Sequence, residues 1–222
     1  MEKTKVIVDT CFLQKLAPEE KHVGNVSKII ECLDFQPVAH PYVVEHEIKL
    51  KSYLMKLVNT GFIQKIEYDD FIKDDASRFL YESYFHDIYD ALRKNLAAAG
   101  GAKQIEKLNI PSGETIYSIH RQGSSMADVH MILMAEFLRL PIILTEDSDI
   151  ELLRVIAKKR LSLGDFTLHI YNAVDLVMQV AEKDALPITK KELEQILACM
   201  GERSHRAELT NIWKEHHLMV AK

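Results

Sequence analysis

Five carboxylates stand where their chemistry would matter. Asp9 closes the run "KVIVD", in which Val6, Ile7 and Val8 read as a buried strand. A carboxylate at the end of such a strand is costly unless something compensates it. A second apolar run, "PIILT", delivers Asp147 and Asp149 in the same way. Asp128 opens the apolar segment "ADVHMILMAEF". Glu47 falls within the stripe that holds Val43, Val44 and Leu54, whereas Glu45 points to the opposite side. Acids gathered at one edge without Arg or Lys beside them repel one another unless a divalent cation neutralises them. Oxygen-only ligands favour Mg²⁺ or Mn²⁺ over zinc, and Asp9 is best read as a metal ligand. Taken singly, the others have structural roles to hand. Asp128 suits a helix N-cap, Glu47 a satisfied buried acid, and Asp147 and Asp149 an ordinary loop. Their common placement favours the metal.

The elements that position these groups alternate. Residues 4–9 predict a strand, "APEEKHVGNVSKIIECLDF" a loop and helix, and "QPVAHP" an extended link. A helix is expected over about residues 41–59, with Pro41 in its first turn and Gly61 past its end. "FIQKIEY" alternates like a strand. From Asp69 to Leu96 the pattern is helical and aromatic-rich, and another helix is expected over 112–122, after Pro111. "GSSMADVHMILMAEFLRL" reads as an amphipathic helix. "PIILT" and "FTLHIYN" read as strands, and "ELLRVIAKKRLS" and "AVDLVMQVAEK" as helices. Strands alternating with helices predict an α/β fold of α/β/α layers around a mostly parallel sheet, whose ligands sit at the strands' carboxyl ends. The domain is expected over residues 1–183, with a helical middle at about 69–122. A helical extension follows over 184–222, with a Thr189–Glu192 capping box and a last helix around Glu208–His217.

Composition narrows the partners. Net charge is −5, so bulk electrostatics do not mark a nucleic-acid binder, and a polyanion must be held by local basic patches or through metal. Cys11, Cys32 and Cys199 form no CxxC pair and suit a reducing compartment. The first apolar run is too brief for a signal-peptide core, and no stretch approaches a membrane span. A cytoplasmic protein with no membrane partner is expected. His46-Glu47 does not make a zinc protease motif, because Leu50 stands where the second His is required. A D-x-D phosphatase pair fails at Cys11, and no Gly-rich phosphate loop occurs.

The order of these motifs resembles the PIN domain, a nuclease fold. "VIVDT" is similar to that family's first strand and acid. "VVEHEI" is similar to its V-x-x-E-L helix motif, selecting Glu47, and "SMADVHMILMAEFLRLPIILTEDSDI" to its D-x-x-I…P-I-L-T-x-D-x-D run. The resemblance covers residues 4–60 and about 124–178; the long middle and the tail have no counterpart in it. It implies a metal-dependent ribonuclease with Asp9, Glu47, Asp128 and Asp147 as catalytic residues. Mg²⁺ or Mn²⁺ would sit on Asp9, Asp128, Asp147 and Asp149, and the Thr145 hydroxyl would orient the acids. Ser124 and Ser125 offer similar hydroxyls, and Arg121 is the expected cationic contact to an RNA backbone. RNA is the expected partner, with an antitoxin or a second copy of the chain beside it. The other class this pattern allows is a non-catalytic module that binds RNA or protein.

Overall fold

The computed structural model describes residues 3–100, 104–120, 125–161, 166–184 and 187–217. Its centre is a five-stranded sheet in the order β3-β2-β1-β4-β5. The strands are β1 (Thr4–Val8), β2 (Phe35–Ala39), β3 (Gln64–Lys65), β4 (Ile142–Leu144) and β5 (His169–Tyr171). Every pairing is parallel. Val6, Ile7, Val8, Ile143 and Leu144 have no exposed surface, as strands covered on both faces require.

Helices cover both faces. α1 (Thr10–Leu16), α2 (Val23–Cys32) and α8 (Ala173–Glu182) pack together on one side. α5 (Asp75–Ala99), α6 (Met126–Leu138) and α7 (Asp149–Arg160) pack together on the other. This is the expected α/β/α arrangement. α9 (Lys190–Cys199) and α10 (Arg206–His217) pack on α8 and on each other. Thr189 and Glu192 cap α9 reciprocally, and Lys15 of α1 bonds Glu202 at 2.5 Å. Among the described residues no helix is long and apolar enough to cross a membrane.

Five local expectations are corrected by the fold. "QPVAHP" is no link: β2 runs through it and lies inside the sheet, with Pro37 paired in register with Val6. β3 meets β2 only at Val38 and Ala39, so Pro37 has no strand on its other side and removes no ladder bond there. The strand expected over "FIQKIEY" is correspondingly reduced to Gln64–Lys65.

The helix expected over 41–59 is broken. α3 (Pro41–His46) stops, a 3-10 turn covers Ile48–Leu50, and α4 (Ser52–Asn59) restarts after an extended Lys51. A straight helix would hold Leu50 on the same broad face as Ile48 and Leu54. Here those two are buried and Leu50 is 71% exposed. Glu47 therefore sits at a helix end (φ −127°, ψ −61°) and not within a stripe.

The helix expected over 112–122 does not form in its described residues, 112–120. Gly113 takes φ +87°. Thr115 and Ser118 hydroxyls accept the Tyr117 and Thr115 amides at 3.3 and 3.0 Å, which competes with helical bonding. Finally, α6 is not amphipathic. Every residue from Met126 to Glu136 is buried, the pattern of a helix enclosed on all sides.

Candidate active site

The order β3-β2-β1-β4-β5 has a reversal. From β1 the chain moves outward to β2 on one side, and from β4 outward to β5 on the other. A crevice opens between such strands at their carboxyl ends. Asp9 follows β1 and Thr145 to Asp147 follow β4, so these groups stand at the reversal. A cleft of about 680 Å³ opens there, and Asp9, Glu47, Asp128 and Asp147 all line it. Four separate elements deliver them: the β1 end, the α3 end, the first turn of α6, and the loop after β4.

Asp9 is only 5% exposed. Its Oδ1 accepts the Thr10 amide at 2.6 Å. Its Oδ2 accepts the Thr145 hydroxyl at 2.8 Å and the Cys11 thiol at 2.5 Å. Thr145 Oγ1 also accepts the Asp147 amide at 3.1 Å, so one hydroxyl joins the acids of two neighbouring strands. Burial pushes the Asp9 carboxyl above its ordinary range, against the pull of those hydrogen bonds, and the Asp147 charge adds to the rise. Burial and the Asp9 charge likewise hold Cys11 as a neutral thiol. Burial first, and then Asp9, raise Glu47 to about 7.

Glu45 has a different fate. It lies exposed and takes an ion pair from Lys65 at 2.7 Å, away from the cleft. Asp149 does not line the cleft; it begins α7 and donates its amide to Asp147 Oδ1 at 2.9 Å. Arg121 and Ser124 fall outside the described residues. Ser125 lines the cleft in a left-handed conformation (φ 55°). Its Oγ is buried without a hydrogen-bond partner among the described residues.

Among the described residues no three His, Cys, Asp or Glu side chains converge closely enough to enclose one ion. The donor chemistry nevertheless suits a hard cation. Carboxylates whose pKa values are raised by burial gain from a positive charge, and the buried Ser125 hydroxyl would add an oxygen donor.

Several cleft residues had no role in the sequence reading. Cys11 had no part in the expected site, where it only spoils a D-x-D pair. Glu146 lines the cleft, yet its Oε1 accepts the Ala173 amide at 2.7 Å and so also fixes the start of α8. Tyr42, His46 and His120 form an aromatic wall of the cleft.

Behind that wall runs a buried line of hydrogen bonds. His40 Nδ1 accepts the Tyr42 amide at 3.0 Å, so its proton is on Nε2, which reaches Tyr81 Oη at 3.2 Å. His130 Nε2 faces the Ile116 carbonyl at 3.0 Å and must donate, leaving Nδ1 to accept from Tyr81 at 2.7 Å. Both imidazoles are neutral. Burial depresses His130 to about 3 and His40 in the same direction. The three side chains come from distant parts of the chain, and only the folded core unites them.

No family model, curated protein or solved structure matches the chain.

Proposed function

We propose that this chain is a metal-dependent ribonuclease of the PIN-like kind. One observation carries the reading: four carboxylates from four elements line a single cleft at the point where the sheet order reverses. Asp9, Asp128 and Asp147 would hold Mg²⁺ or Mn²⁺, with Asp149 acting through its amide on Asp147. When bound, such an ion supplies Lewis-acid stabilisation of the phosphate and activates water.

The chain's own groups do the rest. Thr145 and Cys11 pin one Asp9 oxygen by hydrogen bonds, which fixes the carboxylate's orientation. Glu47 titrates near neutrality and takes the proton of the attacking water. Asp9 and Asp128 are themselves buried, so charge on them is screened little by bulk solvent. RNA is the substrate in this reading, with Arg121 on its backbone and an antitoxin or a second copy as further partners. Three free cysteines suit the cytoplasm as its location.

The experiment is cleavage of a mixed RNA pool by purified protein with Mn²⁺, Mg²⁺ or EDTA. Metal-dependent cleavage is expected, and Asp9→Asn lowers it about a hundredfold or more, the scale of losing several kcal/mol of metal-derived stabilisation. RNA that is bound but left intact in Mn²⁺ would instead mark a non-catalytic module.

A further inference from the structure

The aromatic wall of the cleft is a row of rings that begins in the core and ends in the open cleft. Buried His130 lies 4.6 Å from Tyr42, ring centre to centre. Tyr42 lies 4.4 Å from His46, and His46 lies 5.4 Å from His120 with the two planes only 5° apart. Exposure rises along the row. Tyr42 is 2% exposed, His46 is half-buried and His120 is exposed.

Hydrogen bonds hold the row in place. Tyr42 Oη donates to the Ile119 carbonyl at 2.9 Å, and His46 Nε2 donates to the Tyr117 carbonyl at 3.2 Å. Both bonds tie the segment carrying His120 to α3, which brings its imidazole parallel to His46. Leu50, 71% exposed, and Lys51 line the same cleft. A flat ring, an apolar side chain and a cation beside a carboxylate cluster are what one nucleotide requires: a face for its base and a charge for its phosphate.

We propose that His120 and His46, with Leu50 and Lys51, form a subsite that stacks one unpaired base of an RNA strand next to the carboxylates. This rests on the ribonuclease reading and extends it to substrate form. The outer face of His120 takes the base, Leu50 borders it, and Lys51 meets the adjoining phosphate. A paired base is already stacked on both faces within its helix and cannot enter, so the subsite selects single strands.

The test is fluorescence anisotropy in EDTA with a fluorescein-labelled, mixed-sequence RNA of about ten nucleotides. The comparison probes are its duplex and the same strand with abasic sugars. The parent protein should favour the single strand. His120→Ala should weaken that binding about fivefold or more, the scale of losing one stacked base, and His120→Trp should restore it. The abasic strand should not distinguish parent from His120→Ala. Lys51→Ala should lower the slope of log affinity against log salt by about 0.7, one counterion on a single strand. Unchanged RNA affinity in His120→Ala with a lowered thermal midpoint would make the ring pair a structural clamp and overturn the subsite, while Mn²⁺-dependent cleavage by the parent kept the ribonuclease reading intact. A parent protein that neither binds nor cleaves RNA would remove both.

Discussion

Thr145 Oγ1 donates to Asp9 Oδ2 at 2.8 Å across the boundary between β1 and β4. The same oxygen accepts the Asp147 amide, so the hydroxyl sets the position of both acids. Thr145→Val keeps the shape and removes both bonds. Activity should fall about 10- to 100-fold, the usual effect of losing such a supporting partner at a metal site. Stability should fall by about 1 kcal/mol or more. Thr145→Ser keeps the hydroxyl and should retain most activity. Equal rates for the Val variant and the parent would show that Asp9 needs no such support.

Glu47 and Glu45 should separate cleanly. Glu45→Gln removes only an exposed ion pair, worth about 0–1 kcal/mol, and should leave cleavage unchanged. Glu47→Gln should abolish most cleavage. Its effect on stability has a definite sign. Folding raises the Glu47 pKa to about 7, against about 4.3 in an unfolded chain. The folded state therefore binds the extra proton between these values, and stability is lost as pH rises through that range. In EDTA above about pH 7, Glu47→Gln should melt higher than the parent, by on the order of 1 kcal/mol after allowance for solvent screening. A lower melting point there would contradict the burial argument.

Acid should act on the buried histidines in the opposite sense. His130 titrates at about 3 in the folded protein, against about 6.5 when unfolded. Between these values only the unfolded chain is protonated, so stability declines as pH drops below about 6.5. The decline is up to about 1.4 kcal/mol per pH unit for each such histidine. His40 shifts the same way and steepens it. Urea midpoints at about pH 7 and about pH 5 are the measurement. Matching midpoints would mean that the imidazoles reach solvent.

Divalent metal should stabilise the fold. An ion that binds only the native state adds about 2.7 kcal/mol at a hundred times its Kd. Mn²⁺ should raise the thermal midpoint, EDTA should reverse the rise, and Asp9→Asn should remove it. An unchanged midpoint at millimolar Mn²⁺ would count against a cation at these acids.

The acids were legible in the sequence because each carries a local signature. Asp9 and Asp147 end runs of buried strand residues, and Asp128 begins a segment too apolar for the surface. Glu47 was selected over Glu45 from a helix pattern that proved to be interrupted. The selection agrees with the cleft lining because Val43 and Val44 fix the face of α3 before the break. β2 was missed because Pro37 reads as a strand breaker, and only the short reach of β3 makes it tolerable. The His40–Tyr81–His130 line was invisible for another reason. Its members are 41 and 49 residues apart, and neither spacing carries any periodic signal.

That line also fixes how long elements are aligned. α5 has 25 residues, and an apolar face of that length would accept its neighbours after sliding by a full turn, about 5.4 Å. Tyr81 forbids the slide. Its oxygen meets a donor from the end of β2 and an acceptor on α6 at one place only, and a shifted helix would strand two buried polar groups at about 1–3 kcal/mol each. Both outer tautomers are fixed by backbone groups, so the line cannot adapt by reversing its direction. Greasy packing holds α5 against the core, while a single phenol dictates its longitudinal setting.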